Sequence, residues 1–309
     1  MLSGRVRILD FDRSLALQEQ LLRRFNPDII DLTGIGPHCR LWAARKDAEK
    51  IRALLNPKQR NDITFLGSGD FHHISGLLIK QFSEPINLIV FDFHPDWDIL
   101  PPRLGCGSWV TNALTNSNIK KVILLGASSA DISGMGIQTA NLSSLAGRRV
   151  EIYPYAHKPT PVLFRDVPQD GSLKIRKFFW GREIIWKELK GLDLGDFCAS
   201  LAEGLPVKQT YISIDKDCLR EEYALTNWDQ GQISLDELLI MLKVFRQSLD
   251  VVGVDVTGDY SLPSFKSRIK GFFSRLDHPK DIAARRINPQ LLNLVNQSTN
   301  IKILEALGA

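Results

Sequence analysis

The sequence predicts a three-layer α/β/α fold with a mainly parallel central sheet, read as one domain spanning residues 1–309. Two features predict it. Near-continuous apolar runs such as NLIVF (87–91) and KVILL (121–125) have no polar face, as expected of strands covered on both sides. Segments of helical period separate most of these runs, the signature of parallel strands joined by crossover helices. In chain order, RVRILDFD reads as a strand, and SLALQEQLLRRF as an amphipathic helix with Leu15, Leu17, Leu21, Leu22 and Phe25 near helical spacing. PDIIDLTGIG is a strand and turn, and Trp42 to Leu55 a helix closed by Asn56-Pro57. DITFLGSGD enters a Gly-rich turn, HHISGLLIKQF opens a helix, NLIVFDFH is a strand, SWVTNAL a short helix and KKVILLGAS a strand. VEIYPY, LKIRKFFW, QTYISID and VVGVDVTGD follow as strands, with helices at Leu194–Glu203, Ser234–Leu249 and Pro289–Leu307. Residues Ala156–Gly171 and Gly258–Lys280, rich in Pro, Gly and charge, read as long connections.

Composition excludes several classes. The 39 basic and 35 acidic residues give a net charge of +4 without long basic blocks, so nucleic-acid binding is not expected. The four cysteines, Cys39, Cys106, Cys198 and Cys218, form no C-x-x-C pair, which argues against a zinc ribbon or disulfide framework. Cys106 and Cys218 neighbour the acidic clusters but read as structural. MLSGRVRILDFD lacks an apolar signal core, and no apolar run reaches membrane-spanning length, so no membrane association and a cytoplasmic location are expected. Trp180 and Trp186 read as packing residues. Arg285-Arg286 reads as a solvated pair or a contact for an acidic peptide segment.

The chemistry concentrates at strand ends. Asp92, His94 and Asp96 alternate by two at the end of the run Ile86 to Phe93, so their side chains project from one face. Converging carboxylates would repel one another unless a cation neutralised them. A second pair, Asp215 and Asp217, ends YISID, and Asp70, His72 and His73 lie in a turn after ITFLG. Asp255 lies within VVGVDVTGD. Carboxyl ends of strands in open α/β sheets are where ligands gather. Oxygen-rich ligands with one or two imidazoles suit Mn²⁺ and similar ions, and the ligand number exceeds what one tetrahedral zinc needs. Two metal ions per chain fit the count.

These residues resemble the ureohydrolase superfamily of arginases, agmatinases and formiminoglutamases. The resemblance rests on Gly67-Ser68-Gly69-Asp70-Phe71-His72, Asp92-Phe93-His94-Pro95-Asp96, Ser213-Ile214-Asp215-Lys216-Asp217 and Val254-Asp255-Val256. It implies an arginase- or deacetylase-like fold with two Mn²⁺ ions. Asp92 and Asp215 would bridge them, His72 and Asp96 would complete one, and His94 and Asp217 the other. The first motif carries an extra residue, which leaves Asp70 and His73 open as the ligand in place of His72. After the D-x-H-x-D motif, Trp97 to Val110 contains no histidine and carries bulky Trp97 and Trp109, where arginases grip the α-carboxylate and α-amine of free arginine. In this the chain is similar to atypical arginases that convert arginine within ribosomally made peptides to ornithine.

The resemblance thus implies a hydrolase releasing urea from an arginine-containing peptide. Asp96 would relay a proton to the leaving amine, and Asp255 would fix the guanidinium by charge-assisted hydrogen bonds. With no family histidine, His73, Asp98 or solvent would carry the proton shuttle. The rival expectations are a hydrolase of a free guanidino compound and, further off, a metal-dependent amide hydrolase. A homo-oligomer is left open.

Overall fold

The protein is described by a computed structural model covering residues 4–55, 62–100, 102, 104–134, 136–162, 167–179, 181–277 and 288–309. Asn56-Pro57, Pro101, Arg103, Trp180, Arg285 and Arg286 lie outside the described residues.

Among the described residues eleven strands form: β1 Val6–Asp10, β2 Asp28–Asp31, β3 Ile63–Gly67, β4 Ile86–Phe91, β5 Ile119–Gly126, β6 Val150–Pro154, β7 Thr160–Val162, β8 Leu173–Phe178, β9 Gly181–Trp186, β10 Gln209–Asp215 and β11 Asp250–Thr257. Eight make one sheet in the order β2-β1-β3-β11-β10-β4-β5-β6. Every pairing within it is parallel. Alternation along each strand feeds two cores. Leu88, Val90, Val122 and Leu124 pack on one face with Ile51, Leu77 and Val110. Ile89, Phe91, Ile123 and Leu125 pack on the other with Phe197, Leu238, Phe245 and Ile303. Burying each such side chain contributes roughly 1.5–3 kcal/mol, which is why these runs tolerate no polar alternation. The fold is therefore α/β, with helices covering both faces of a parallel sheet.

The order of the strands makes the site. The chain passes from β3 to β4 across a gap that β11 and β10 later fill. The carboxyl ends of β3, β11, β10 and β4 thus lie side by side, at a switch in strand order where a crevice opens. On the distal face the helix Leu235–Ser248 begins with a capping box, Ser234 to Glu237, and Pro289–Leu307 ends on Gly308 in the left-handed conformation.

Several expected elements differ. The first helix spans only Glu19–Phe25. Asp10 and Asp12 accept from the backbone N–H groups of Arg13 and Ser14, turns that compete with helix, and Leu17 is left exposed. The helix expected from Trp42 starts at Arg45, because Trp42 pairs with Gly105. Instead of a helix from His72, a 3₁₀ segment, Gly69–Ile74, precedes a short helix at Ser75–Ile79. The two long connections contain structure. Strand β7 lies in the first, and joins β9 and β8 in a separate antiparallel sheet; the helix Arg268–Asp277 lies in the second. Strand β9 was not expected at all, although β8 and β9 are a simple antiparallel pair. Among the described residues no helix is long and apolar enough to cross a membrane.

Candidate metal centre

Strand β4 ends at Phe91, and the backbone then turns sharply, with Asp96 at φ 47°. A non-glycine residue in the left-handed region is uncommon, and aspartate is among those that tolerate it. Two neighbours fix that turn. The Val110 N–H donates to the Asp96 carbonyl, and the Trp109 indole N–H donates to Asp96 Oδ2 at 2.7 Å.

The structure brings the expected ligands together in two groups that share one residue: His72, Asp92 and Asp96, and Asp92, His94 and Asp217. His72 Nδ1 lies 3.0 Å from Asp92 Oδ2, 3.2 Å from Asp96 Oδ2 and 3.6 Å from Asp215 Oδ2. His94 Nδ1 lies 2.9 Å from Asp217 Oδ2 and 3.9 Å from Asp92 Oδ1. Asp92 therefore presents one oxygen to each group. Backbone donors pin the carboxylates: His94 N–H to Asp92 Oδ1, Phe93 N–H to Asp217 Oδ1, and Asp217 N–H to Asp215 Oδ1. Two glycines make room for Asp215. A Cβ on Gly69 would come within 2.8 Å of Asp215 Oδ2, and one on Gly258, at φ +90°, within 2.5 Å of Oδ1.

The donor set fits divalent cations. Asp92 Oδ2 is buried and accepts no hydrogen bond, although His72 Nδ1 is only 3.0 Å away. Two lone pairs aimed at one point are what a cation requires. On its other side, the His72 ring meets Ser213 Oγ at 2.9 Å through Nε2. Ser213 Oγ in turn donates to Asp255 Oδ1 at 2.7 Å. With its own hydrogen committed to the carboxylate, Ser213 accepts from Nε2–H, which leaves the Nδ1 lone pair for the cluster.

The electrostatics agree. Burial, then the charges of Asp217, Asp96 and Asp215, push the Asp92 carboxyl well above its usual range. Burial and Asp217 raise Asp215 to about 8. For His72, burial opposes the charged form, but Asp96 and Asp215 outweigh it and raise the imidazole to about 9; Asp217 does the same for His94, also to about 9. Without a cation, protons must fill the role of neutralising this cluster.

The cavity above these groups encloses about 270 Å³. Asp98 and Asp131 line it beside the ligands, as do Trp97, Cys106 and Trp228. Each of the two extra carboxylates is held by a hydroxyl, Asp98 by Thr139 Oγ1 at 2.9 Å and Asp131 by Ser129 Oγ at 2.8 Å.

Other expected residues lie elsewhere. Asp70 Oδ2 pairs with Arg40 Nε at 2.5 Å and Oδ1 accepts from Trp228 Nε1, so its carboxylate is already occupied. His73 is buried off the cavity wall, neither ring nitrogen has a hydrogen-bond partner, and burial drives its pKa down to about 3. A proton shuttle at His73 does not fit that placement. Asp255 also does not line the cavity. It lies behind Ser213, its Oδ1 accepting from Ser213 Oγ and from Ser75 Oγ at 2.9 Å, and so is linked through Ser213 to the His72 ring. Bulky Trp109 does not line the cavity; it holds Asp96 and packs on the His72 ring with centroids 4.8 Å apart. Trp186 is a packing residue, its indole N–H donating to Thr160 Oγ1. Cys218 is buried and Cys106 half-buried in the cavity wall. Asp131 and Trp228 carried no sequence signal, since only the folding of distant loops brings them to the cavity.

No protein-family model matches the sequence. An uncharacterized protein of Thermotoga maritima is 26% identical over 247 residues, covering 75% of this chain and 78% of that one. Among solved structures, arginase from Bacillus subtilis matches 99% of this chain and 98% of its own at 13% identity, with a TM-score of 0.55. The chain has the arginase fold. Formiminoglutamase of Trypanosoma cruzi, solved with Mn²⁺, matches 96% of this chain and 94% of its own at 12% identity and a TM-score of 0.52. Within the arginase fold, the carboxyl ends of β3, β10 and β4 are where this chain gathers its imidazoles and carboxylates.

Proposed function

We propose that this chain is a two-metal hydrolase that converts the guanidine of an arginine side chain, within a peptide, to an amine and urea, with Mn²⁺ as the metal. The observation that carries this reading is the shared Asp92 carboxylate, one oxygen facing His72 and the other facing His94. Asp92 and Asp215 would be shared by the two ions, with His72 and Asp96 completing one and His94 and Asp217 the other. Such a pair supplies Lewis-acid activation of water for attack on a weak electrophile.

The remaining work falls to side chains. Asp98 and Asp131 add negative charge to the cavity beyond the metal ligands, which favours a cationic group such as guanidinium. Trp97 forms part of the cavity wall. Asp96, whose carboxylate accepts from the Trp109 indole, would accept the proton of the attacking water, and Asp98, a cavity carboxyl outside the ligand set, would pass one on. Burial holds the Asp98 carboxyl above its usual range, which makes it a better proton acceptor than an exposed aspartate. Water adds to the guanidinium carbon, the C–N bond to the side chain breaks, and the departing nitrogen leaves as a protonated amine beside neutral urea.

The test incubates Mn²⁺-loaded protein with an arginine-containing peptide and with free arginine and agmatine. Urea together with ornithine in the peptide supports the reading. Urea from the free compounds alone moves the substrate to a small guanidino molecule, and no urea from any of them removes the reading.

A further inference from the structure

Beside the metal cavity runs a larger groove of about 600 Å³, lined by Leu41, Trp42, Leu100, Pro102, Phe273 and Trp228. The two spaces adjoin, with Asp98, Cys106, Gly107 and Trp228 bordering both. Their characters differ. The metal cavity is walled by carboxylates and imidazoles, whereas the groove is mostly apolar, with Leu100 and Phe273 left 54% and 46% exposed. Large apolar side chains exposed around a cleft that leads to a polar site are a ligand surface more often than an accident of packing.

The groove is also rigidly built. Leu41 adopts φ 67°, a strained conformation for a bulky residue. Three interactions maintain it: the Leu41 N–H donates to the Asp70 carbonyl, the Cys106 N–H donates to the Leu41 carbonyl, and Trp42 bridges to Gly105. From below, Lys270 Nζ donates to the carbonyls of His38 at 2.7 Å, Arg40 at 3.0 Å and Trp42, and its ammonium lies 4.6 Å from the Trp42 ring. Arg40 is tied to Asp70, whose other oxygen holds the Trp228 indole between the groove and His94. One network therefore fixes the wall of the groove and the edge of the metal site together.

We propose that this groove is the subsite for an apolar side chain adjoining the reacting residue of a peptide substrate. This rests on the guanidine-hydrolase reading above. The smaller cavity, about 270 Å³, suits a single arginine side chain, and a peptide continuing past the reacting residue would meet the adjoining apolar groove. Preorganised walls reduce the ordering cost of binding there.

The test uses the Mn²⁺-loaded 309-residue chain and blocked dipeptides: acetyl-Arg-Phe-amide and acetyl-Phe-Arg-amide against the same two with Gly in place of Phe. Binding is read by isothermal titration and turnover by urea release. One Phe order should exceed its Gly counterpart by about tenfold in both, the gain expected from burying a phenyl ring in a formed apolar pocket. Leu100→Glu, at an exposed position, should bring that ratio down to about twofold or less. Phe273→Ala, on a different segment, should lower it independently. Equal binding of Phe and Gly peptides in both orders overturns the groove assignment, as does a preference that survives both variants. A Phe preference in binding with no urea from any substrate would sink the guanidine reading and leave the groove standing.

Discussion

Replacing Ser213 by alanine removes a single oxygen that touches no proposed ligand atom, yet it should weaken one metal site. His72 is 1% exposed, and Ser213 Oγ, 2.9 Å from its Nε2, is the acceptor on that side among the described residues. Without it, either a buried N–H goes unpaired or the ring changes tautomer and loses the Nδ1 lone pair. An unpaired buried donor costs about 1–3 kcal/mol. At about 1.4 kcal/mol per tenfold, the Mn²⁺ affinity should fall roughly 5- to 150-fold. That range agrees with the loss of about 10- to 100-fold usual when an outer partner of a ligand histidine is removed. Asp255 keeps its 2.9 Å donor from Ser75, so the strand itself should stay intact. Mn²⁺ titration followed by electron paramagnetic resonance separates the two binding steps. The loss should fall on one step, leaving the site at His94 and Asp217 near the wild-type value. Unchanged affinity at both steps, or an equal loss at both, would refute the assignment of His72 Nδ1 as a ligand set by Ser213.

Three further outcomes are expected. Trp109→Phe keeps the bulk packed on His72 but removes the donor to Asp96 Oδ2, and should lower turnover about tenfold or more with little change in melting temperature; full activity would show that Asp96 needs no such anchor. Asp255→Asn should weaken Mn²⁺ binding, whereas a change in KM alone, at full metal occupancy, would return Asp255 to a guanidinium-binding role. In metal-free protein, His72 and His94 hold protons to about 9 against an ordinary 6.5, and Asp215 to about 8 against 3.8. The folded chain thus binds more protons than the unfolded chain across this window, so its stability should fall as pH rises from about 6.5 to 9. Thermal melts should show that fall without metal and a flatter profile with Mn²⁺, and identical profiles would contradict the cluster's electrostatics.

Much of the architecture could be read from pattern alone. The runs 87–91 and 121–125 announced strands buried on both faces, and they are β4 and β5 of a wholly parallel sheet. The alternation of Asp92, His94 and Asp96 after one strand and of Asp215 and Asp217 after another foreshadowed their meeting, because strand ends were the only places these groups could converge. What pattern could not supply was strand order, and with it what stands behind each residue. Asp255 matched a motif by sequence position, but its register opposite Ser213 places it beneath the imidazole layer. His73 and His72 are adjacent in the chain, yet the 3₁₀ winding turns only His72 into the cluster. Strand β7 and the helix Arg268–Asp277 were hidden because their segments are short and rich in loop-forming residues. Trp228 and Asp131 reach the cavity on loops from distant parts of the chain, which no local periodicity records.

Anomalous scattering from crystals of the Mn²⁺-loaded protein addresses the central claim most directly. Two peaks are expected, separated by about 3.5–4 Å and both within coordination distance of Asp92. One should lie against His72 Nδ1 and the other against His94 Nδ1. A single peak, or two peaks that do not share Asp92, would contradict it.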